Sequence, residues 1–173
     1  MDNARRRWRG LFLGALLLTF GVAGAYGQGQ RDAPVEPGQE FRAQIVEVTD
    51  GDTYLARRSD GKTATIRLFG VDAPETNQPY GIRAMKMARQ YIGGRTVRIT
   101  VEEIGAYGRA VARVRVDGGN LGPLLVQKGL GWWYREYAPN ATELARLERQ
   151  ARNANRGLWS QGAPIPPWEW RDR

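Results

Sequence analysis

Residues 41–69 have the sequence FRAQIVEVTDGDTYLARRSDGKTATIRLF and carry the clearest fold signal in the chain. Strand-forming residues fill 41–48, a second run begins at Thr53, and polar and apolar residues alternate over 63–69. Turn signals separate the runs, with Asp50-Gly51 after the first and the SDGK segment after the second. Three strands in succession joined by tight turns predict an antiparallel meander.

Beyond the meander, the pattern predicts two more strands and three helices. Alternating apolar residues indicate strands over 96–102 and 109–116. Helical spacing indicates helices over 81–92, 121–128 and 142–155. The last helix has Asn140 or Thr142 as its expected N-cap.

This order of elements favours an α+β fold, a five-stranded OB-type β-barrel with about three α-helices over residues 41–160. Periodicity alone also allows other α+β arrangements. The tail, residues 161–173, is rich in Pro and Trp. We expect it to be irregular, with Trp168 and Trp170 anchoring it on the domain.

The composition narrows the possible chemistry. The chain has 173 residues, the size of one domain, and contains neither cysteine nor histidine. These absences exclude disulfides, thiolate and imidazole catalysis, and the usual zinc sites. Catalysis would have to use carboxylates, Lys, Arg, Tyr, hydroxyls, backbone groups or a metal held by oxygen. The net charge of +8 falls to +5 without the first 25 residues, which contribute four arginines and one aspartate. The remaining charge suits a polyanionic partner, although surface solubility explains it equally well.

The first 25 residues have the pattern of a secretory signal peptide, with four arginines, an apolar run over 11–25 and the small-residue triplet Ala23-Gly24-Ala25. The alternative is an uncleaved membrane anchor, but the apolar run is shorter than the ~20 residues that a span needs. We therefore expect a secreted or periplasmic protein, associated with a membrane only if this segment is retained. Residues 26–40, rich in Gly, Gln and Pro, are expected to form a flexible leader.

A cluster of charged residues surrounds the third predicted strand. Asp52 lies one hairpin before Arg67, and Asp72 follows the strand, so pairing of the second and third strands brings the three side chains within reach. Carboxylates gathered in this way suit a hard cation such as calcium, which prefers oxygen ligands. Taken singly, each piece is better explained as a turn, a helix cap or a solvated salt bridge.

The order of the motifs resembles the staphylococcal nuclease, or thermonuclease-like, family. The motifs that carry the resemblance follow one another over about residues 41–160: DGDT at 50–53, IRL at 66–68, VDAPET at 71–76, YGR at 107–109, LVQKGL at 125–130, YAPN at 137–140 and GLW at 157–159. The combination is specific, whereas no single motif is.

The resemblance implies a calcium-dependent nuclease that hydrolyses DNA and RNA with little sequence preference. Asp52, Asp72 and the backbone carbonyl of Ala73 match the calcium ligands of the family. Arg67 and Arg109 match the two arginines that bind the scissile phosphate. Glu75 matches the glutamate that activates or orients the attacking water.

Tyrosines are the expected substrate-binding side chains. Tyr107 matches a tyrosine that lines the nucleotide pocket, and Tyr134 and Tyr137 are further candidates for base stacking. The chain also departs from the family, because Ala106 replaces a frequent lysine and Arg135 falls near a position where the prototype has a pocket tyrosine. These departures concern nucleotide affinity and base preference more than the phosphodiester chemistry.

A rival interpretation is an OB-fold module of the cell envelope that binds nucleic acid without cutting it. The joint presence of the two aspartates, the glutamate and the two arginines favours the enzyme, because a binding module would not need the whole set. No obligatory protein partner is evident, and we expect a monomer whose partners are its DNA and RNA substrates.

Overall fold

The computed structural model describes residues 34–173, so the predicted signal peptide and residues 26–33 of the predicted leader lie outside the described residues. The strands in the described part are β1 (Glu40–Val48), β2 (Thr53–Arg58), β3 (Thr63–Leu68), β4 (Val71–Asp72), β5 (Thr96–Ile104), β6 (Ala110–Val116), β7 (Gly119–Asn120) and β8 (Trp132–Trp133). The α-helices are α1 (Gly81–Ile92), α2 (Leu121–Gln127), α3 (Thr142–Asn153) and α4 (Pro167–Trp170).

Five of the strands form a closed barrel, which confirms the predicted fold class. They are hydrogen-bonded in the order β3-β2-β1-β5-β6, and parallel pairing of β3 with β6 closes the ring. The remaining contacts in the ring are antiparallel, as expected of strands joined by tight turns. The closing pair sets Ile66 opposite Ala110, and this register brings Arg67 on β3 and Arg109, the residue before β6, to the same seam.

The barrel is small enough for its own side chains to fill the interior. Ile45, Ile66, Ile99 and Val114 are each fully buried. Register shifts in β1 between Ile45 and Glu47, and in β5 between Val101 and Glu103, act as bulges that bend these long strands around the core.

The helices and a second, two-stranded ladder cover the barrel beside the site described below. β4 pairs antiparallel with β8, so that Asp72 lies opposite Trp132. Helix α2 packs against both β6 and α3, and α1 packs against β1 and α2. None of the helices within residues 34–173 combines the length and apolar character needed to cross a membrane.

Two details differ from the sequence-based expectations. The N-cap of α3 is Ala141, and no side chain caps the helix; predicting Asn140 or Thr142 was therefore wrong, because Thr142 is already the first helical residue. The tail is not wholly irregular, since Pro167 begins the short helix α4 with a φ angle that suits a first helical turn. Trp168 and Trp170 anchor the tail on the domain as predicted, through ring contacts and a hydrogen bond.

Tyr54 ties the barrel core to the loop after β1. Its ring is fully buried, and its hydroxyl donates a hydrogen bond to the carbonyl oxygen of Gly51. Burial raises the pKa of the Tyr54 phenol, and the nearby carboxylate of Asp52 adds to the rise. The neutral phenol therefore acts as a permanent donor beneath the loop.

We expect Tyr54→Phe to lower the free energy of unfolding by about 1–3 kcal/mol, because the substitution leaves the Gly51 carbonyl unsatisfied in a dry environment. Urea denaturation followed by tryptophan fluorescence measures the change. Tyr107→Phe is the matched control, since that side chain is 98% exposed, and it should change stability by less than about 0.5 kcal/mol. Equal stability of the two variants would show that the buried hydroxyl contributes nothing.

Candidate active site

The loop between β1 and β2 is held in shape by Asp50. Its Oδ1 atom accepts hydrogen bonds from the backbone N–H groups of Asp52, at 2.9 Å, and Thr53, at 2.7 Å. Asx-turn geometry of this kind fixes the backbone without help from distant residues. The loop therefore turns the side chain of Asp52 inward, where it is 1% exposed.

Gly51 lets this loop approach the next one closely. A Cβ atom at this position would lie 2.6 Å from the Cβ of Ala73 and 2.8 Å from that of Ala84, closer than side chains tolerate. The glycine thus permits the contact that brings Asp52 beside Ala73. The Ala73 N–H donates a 2.5 Å hydrogen bond to Asp52 Oδ2.

Arg67 is the centre of the charged cluster. It lies on β3 opposite Thr53, and its guanidinium donates hydrogen bonds to Asp52 Oδ1 and, at 2.5 Å, to Asp72 Oδ1. The side chain of Asp72 is fully buried and that of Arg67 is 18% exposed. The structure thus brings these three predicted site residues together in a largely dry setting.

The charge states follow from that setting. Burial raises the pKa of Asp52 well above its ordinary value, and the Arg67 guanidinium and the Ala73 N–H oppose this rise. Burial lowers the pKa of Arg67, but the carboxylates of Asp52 and Asp72 outweigh it and raise the pKa above its ordinary value. Arg67 therefore keeps its positive charge at every pH at which the protein is folded.

Glu75 is positioned by the loop between β4 and α1. Its backbone N–H donates a 3.1 Å hydrogen bond to Gln78 Oε1, and its carbonyl accepts one of 2.8 Å from the Gln78 N–H. Gly81 packs directly beneath this loop, because a Cβ there would lie 1.7 Å from the Glu75 carbonyl oxygen. The Glu75 side chain remains one-third exposed and faces the pocket next to the barrel.

A pocket of about 390 Å³ opens over the cluster. Six residues of its lining bear on the chemistry: Arg67, Glu75, Arg109, Tyr134, Tyr137 and Arg171. Arg109 is half-buried, and its Nε donates a long, 3.4 Å hydrogen bond to the Ala106 carbonyl. The guanidinium groups of Arg67 and Arg109 and the carboxylate of Glu75 thus face one cavity, which Arg171 also lines. Arginines and a carboxylate placed in this way are able to bind a phosphate group and to polarise a water beside it.

The three predicted tyrosines fall in different places. Tyr134 and Tyr137 line the pocket with ring centroids 4.6 Å apart, and burial raises the pKa of the Tyr134 phenol. Tyr107 does not belong to the pocket lining, since a φ angle of 61° directs its side chain into solvent. The aromatic side of the described pocket therefore belongs to the segment after β8.

Sequence reasoning missed one residue of the site, Arg171. Its guanidinium contacts Asp72 Oδ2 at 2.9 Å and Glu75 Oε1 at 2.7 Å. Hydrogen bonding to the Asp72 carboxylate raises the pKa of Arg171 above its ordinary value, so it is always charged. No local motif marks this residue, because it lies 99 positions after Asp72 in a tail whose path the periodicity does not predict.

The oxygen atoms that this site offers as ligands suit a hard cation. Asp52 and Asp72 offer buried carboxylates and Ala73 a neighbouring carbonyl, all oxygen atoms of the kind that calcium prefers. Within residues 34–173, no three His, Cys, Asp or Glu side chains are arranged to hold a metal ion by themselves. A cation here would therefore need carbonyl and water oxygens as further ligands. It would also lie next to the guanidinium of Arg171, which contacts Asp72.

Comparison with known proteins gives a consistent result. A family model described as "Staphylococcal nuclease homologue" matches residues 65–161. A protein of Escherichia coli named "Uncharacterized endonuclease" is 38% identical over 78% of this chain and 87% of its own length. A "Micrococcal nuclease" of Shigella flexneri is 34% identical over 76% of this chain and 81% of its own length. A probable staphylococcal-like nuclease of Oryza sativa subsp. japonica is 36% identical over 81% of this chain, but over only 36% of its own length.

We expect Arg67→Met to lower the free energy of unfolding by about 3–5 kcal/mol, because it leaves Asp52 without its buried cation. Chemical denaturation at neutral pH measures the loss. Arg98→Met is the matched control: Arg98 pairs with Glu40 at the surface, where both side chains are half-exposed, and its removal should cost about 0–1 kcal/mol. Similar losses in the two variants would contradict a central role for the Arg67 pair.

Proposed function

The chain belongs to the staphylococcal nuclease family and is a nuclease that hydrolyses phosphodiester bonds, and from that premise we propose that it is calcium-dependent and cuts both DNA and RNA with little sequence preference. The observation that carries the proposal is the convergence of Arg67, Arg109 and Glu75 on one pocket above the buried Asp52 and Asp72.

The two arginines have complementary roles in this proposal. A phosphodiester gathers negative charge on its equatorial oxygens as it approaches the transition state, and preorganised cations stabilise that charge most effectively. Arg67 is held rigid by two carboxylates, so it offers a fixed direction for one hydrogen-bonded contact. Among residues 34–173, the side chain of Arg109 has one hydrogen bond, a long one to the Ala106 carbonyl, so its planar guanidinium can turn toward a phosphate.

Glu75 is the proposed group that orients or deprotonates the attacking water. The chain has no histidine, so a carboxylate is the natural base, and Glu75 is a carboxylate that lines the pocket together with the two arginines. Its backbone is fixed by Gln78 and by the close approach of Gly81, so the side chain starts from a defined position beside the cluster.

Calcium is the proposed cofactor, held by the carboxylates of Asp52 and Asp72 and the carbonyl of Ala73. When bound, such an ion supplies positive charge beside the phosphate and a site for water. The protein's own contribution is to keep both aspartates buried and oriented by backbone and guanidinium donors. That support fixes the direction of their oxygen atoms.

Tyr134 and Tyr137 are the proposed stacking surface for a base. Stacking on an aromatic face is tolerant of sequence and contributes ~1–3 kcal/mol per base, which accounts for a nuclease with little base preference. Single-stranded or frayed regions are the expected substrates, since their bases are free to stack. Export to the periplasm or the medium is likewise part of the proposal; it is supported by the signal-like pattern of residues 1–25 alone.

We expect the protein to degrade plasmid DNA and single-stranded RNA with calcium, and neither substrate after chelation. Glu75→Gln should abolish the activity, because the amide is no base. Arg109→Lys should lower turnover by ~10²-fold or more, by analogy with the loss of one preorganised donor in an oxyanion site. Cleavage of a fluorescent oligonucleotide gives the rates.

Arg146→Lys is the matched control for Arg109→Lys, since Arg146 lies on α3, outside the pocket lining, and hydrogen-bonds to Gln150 of the same helix. It should retain full turnover. Unimpaired cleavage by Glu75→Gln and Arg109→Lys would eliminate the proposed site, and tight binding of uncut nucleic acid under all conditions would support a binding module.

We expect activity to rise from acidic toward alkaline pH, because hydroxide becomes more plentiful as the pH increases. The raised pKa of Asp52 acts in the same direction: its carboxyl is protonated at a higher pH than an ordinary aspartate, so acid removes a cation ligand early. A pH–rate profile at saturating calcium measures this dependence. A maximum near pH 5 would contradict it.

A further inference from the structure

The last ten residues form a strap across the candidate active site. This C-terminal strap, residues 164–173, contains α4 and is hydrogen-bonded to the loop that carries Glu75. Gln78 Nε2 donates a 2.6 Å hydrogen bond to the carbonyl of Ile165, and Trp170 Nε1 donates one of 3.1 Å to Asn77 Oδ1. Gln78 therefore holds Glu75 and the strap at the same time.

Arg171 places a positive charge between the two acidic groups that a cation and a water would need. Its guanidinium contacts Asp72 Oδ1 at 3.3 Å and Oδ2 at 2.9 Å, and it contacts Glu75 Oε1 at 2.7 Å. Asp72 is the proposed calcium ligand and Glu75 the proposed base. A single side chain of the strap thus engages both.

Trp168 covers the aromatic side of the same pocket. Its ring stacks on that of Tyr134 with centroids 5.1 Å apart and an angle of 5° between the planes. It also packs edge-on against Trp132 at 6.4 Å. A parallel stack on Tyr134 is the contact that a nucleic-acid base would make with this tyrosine.

We propose that the C-terminal strap is an intramolecular inhibitor, in which Arg171 occupies the cation side of the active site and Trp168 occupies the base side. This inference rests on the proposed function, because it takes Asp72, Glu75 and Tyr134 as the groups that bind cation, water and base. Calcium and nucleic acid then bind only after the strap leaves, and each binding event favours the other by removing a shared competitor.

The contacts of Arg171 suit a reversible block. The guanidinium is 41% exposed, so water reaches it and stabilises the released state, whereas Arg67 is nearly enclosed. Because the strap is part of the chain, its effective concentration at the site is high without any need for a strong contact. If the strap is engaged in about 90% of molecules, it weakens the apparent affinity for a competing ligand about tenfold.

Direct calcium binding tests the proposal without reference to catalysis. Isothermal titration calorimetry with calcium chloride on the full chain compares Arg171→Gln with Arg173→Gln. The second variant removes the same charge from an arginine that packs on Trp170 and is not part of the pocket lining. We expect about tenfold tighter calcium binding in Arg171→Gln and unchanged binding in Arg173→Gln. Equal affinities in all three proteins, weaker binding in Arg171→Gln or no calcium binding to Arg171→Gln would overturn the proposal.

Amide hydrogen exchange follows the strap itself in the unsubstituted chain. The N–H groups of Glu169, Trp170 and Arg171 donate within the strap to the carbonyls of Pro166 and Pro167. Saturating calcium should accelerate exchange in peptides covering residues 164–173 while leaving the barrel strands protected. Unchanged or slower exchange in the strap would contradict displacement.

The base side is tested by Trp168→Leu, which keeps apolar bulk but loses the stack. Fluorescence anisotropy of a labelled oligothymidylate in the presence of chelator should show at least threefold tighter binding than the unsubstituted chain gives. Unchanged or weaker binding would contradict the proposal, because Trp168 would then support base binding or have no effect on it. Calcium-dependent cleavage by the unsubstituted protein, together with unaltered binding in both strap variants, would reject the inhibitor and leave the nuclease proposal intact.

Discussion

The buried contact of one guanidinium with two aspartates is the constraint on which the site depends. Without Arg67, the carboxylates of Asp52 and Asp72 would repel each other in a dry environment. Without either aspartate, the positive charge of Arg67 would be only partly compensated. Asp52 comes from the loop before β2, Arg67 from the barrel strand β3, and Asp72 from β4 of the two-stranded ladder. Their contact therefore joins the barrel to the chain segment that carries Glu75.

Several features of the site follow from sequence because they depend on local rules. The alternation over 63–69 places Arg67 on a strand, and the DGDT and VDAPET motifs place the acidic residues at its two flanks. Helix α1 was predicted to the residue, since Gly93 and Gly94 end it abruptly. The order of elements favoured a barrel, but the parallel closure of β3 on β6, which brings Arg109 to the same seam as Arg67, was not predicted, because no local pattern specifies which strands meet.

The rest could not be predicted, because it depends on long-range packing of the tail. A Pro- and Trp-rich segment has no periodicity, so nothing in it indicates that Trp168 stacks on Tyr134 or that Arg171 reaches Asp72. The same limit applies to Tyr107. The YGR motif identifies it as a pocket residue by resemblance, but a left-handed backbone conformation turns its ring outward, away from the pocket that Tyr134 and Tyr137 line.

The balance of charge explains why this site would bind a strap. Asp52 and Asp72 are buried and share the guanidinium of Arg67, and Glu75 lines the pocket next to them, so acidic groups outnumber the one buried cation that contacts them directly. Such a site attracts a second cation strongly, because burial removes the water that would otherwise screen the excess charge. A calcium ion supplies that charge in the proposed active state. Arg171 supplies it from within the chain, so the acidity that recruits the cofactor is the same acidity that stabilises the blocked arrangement.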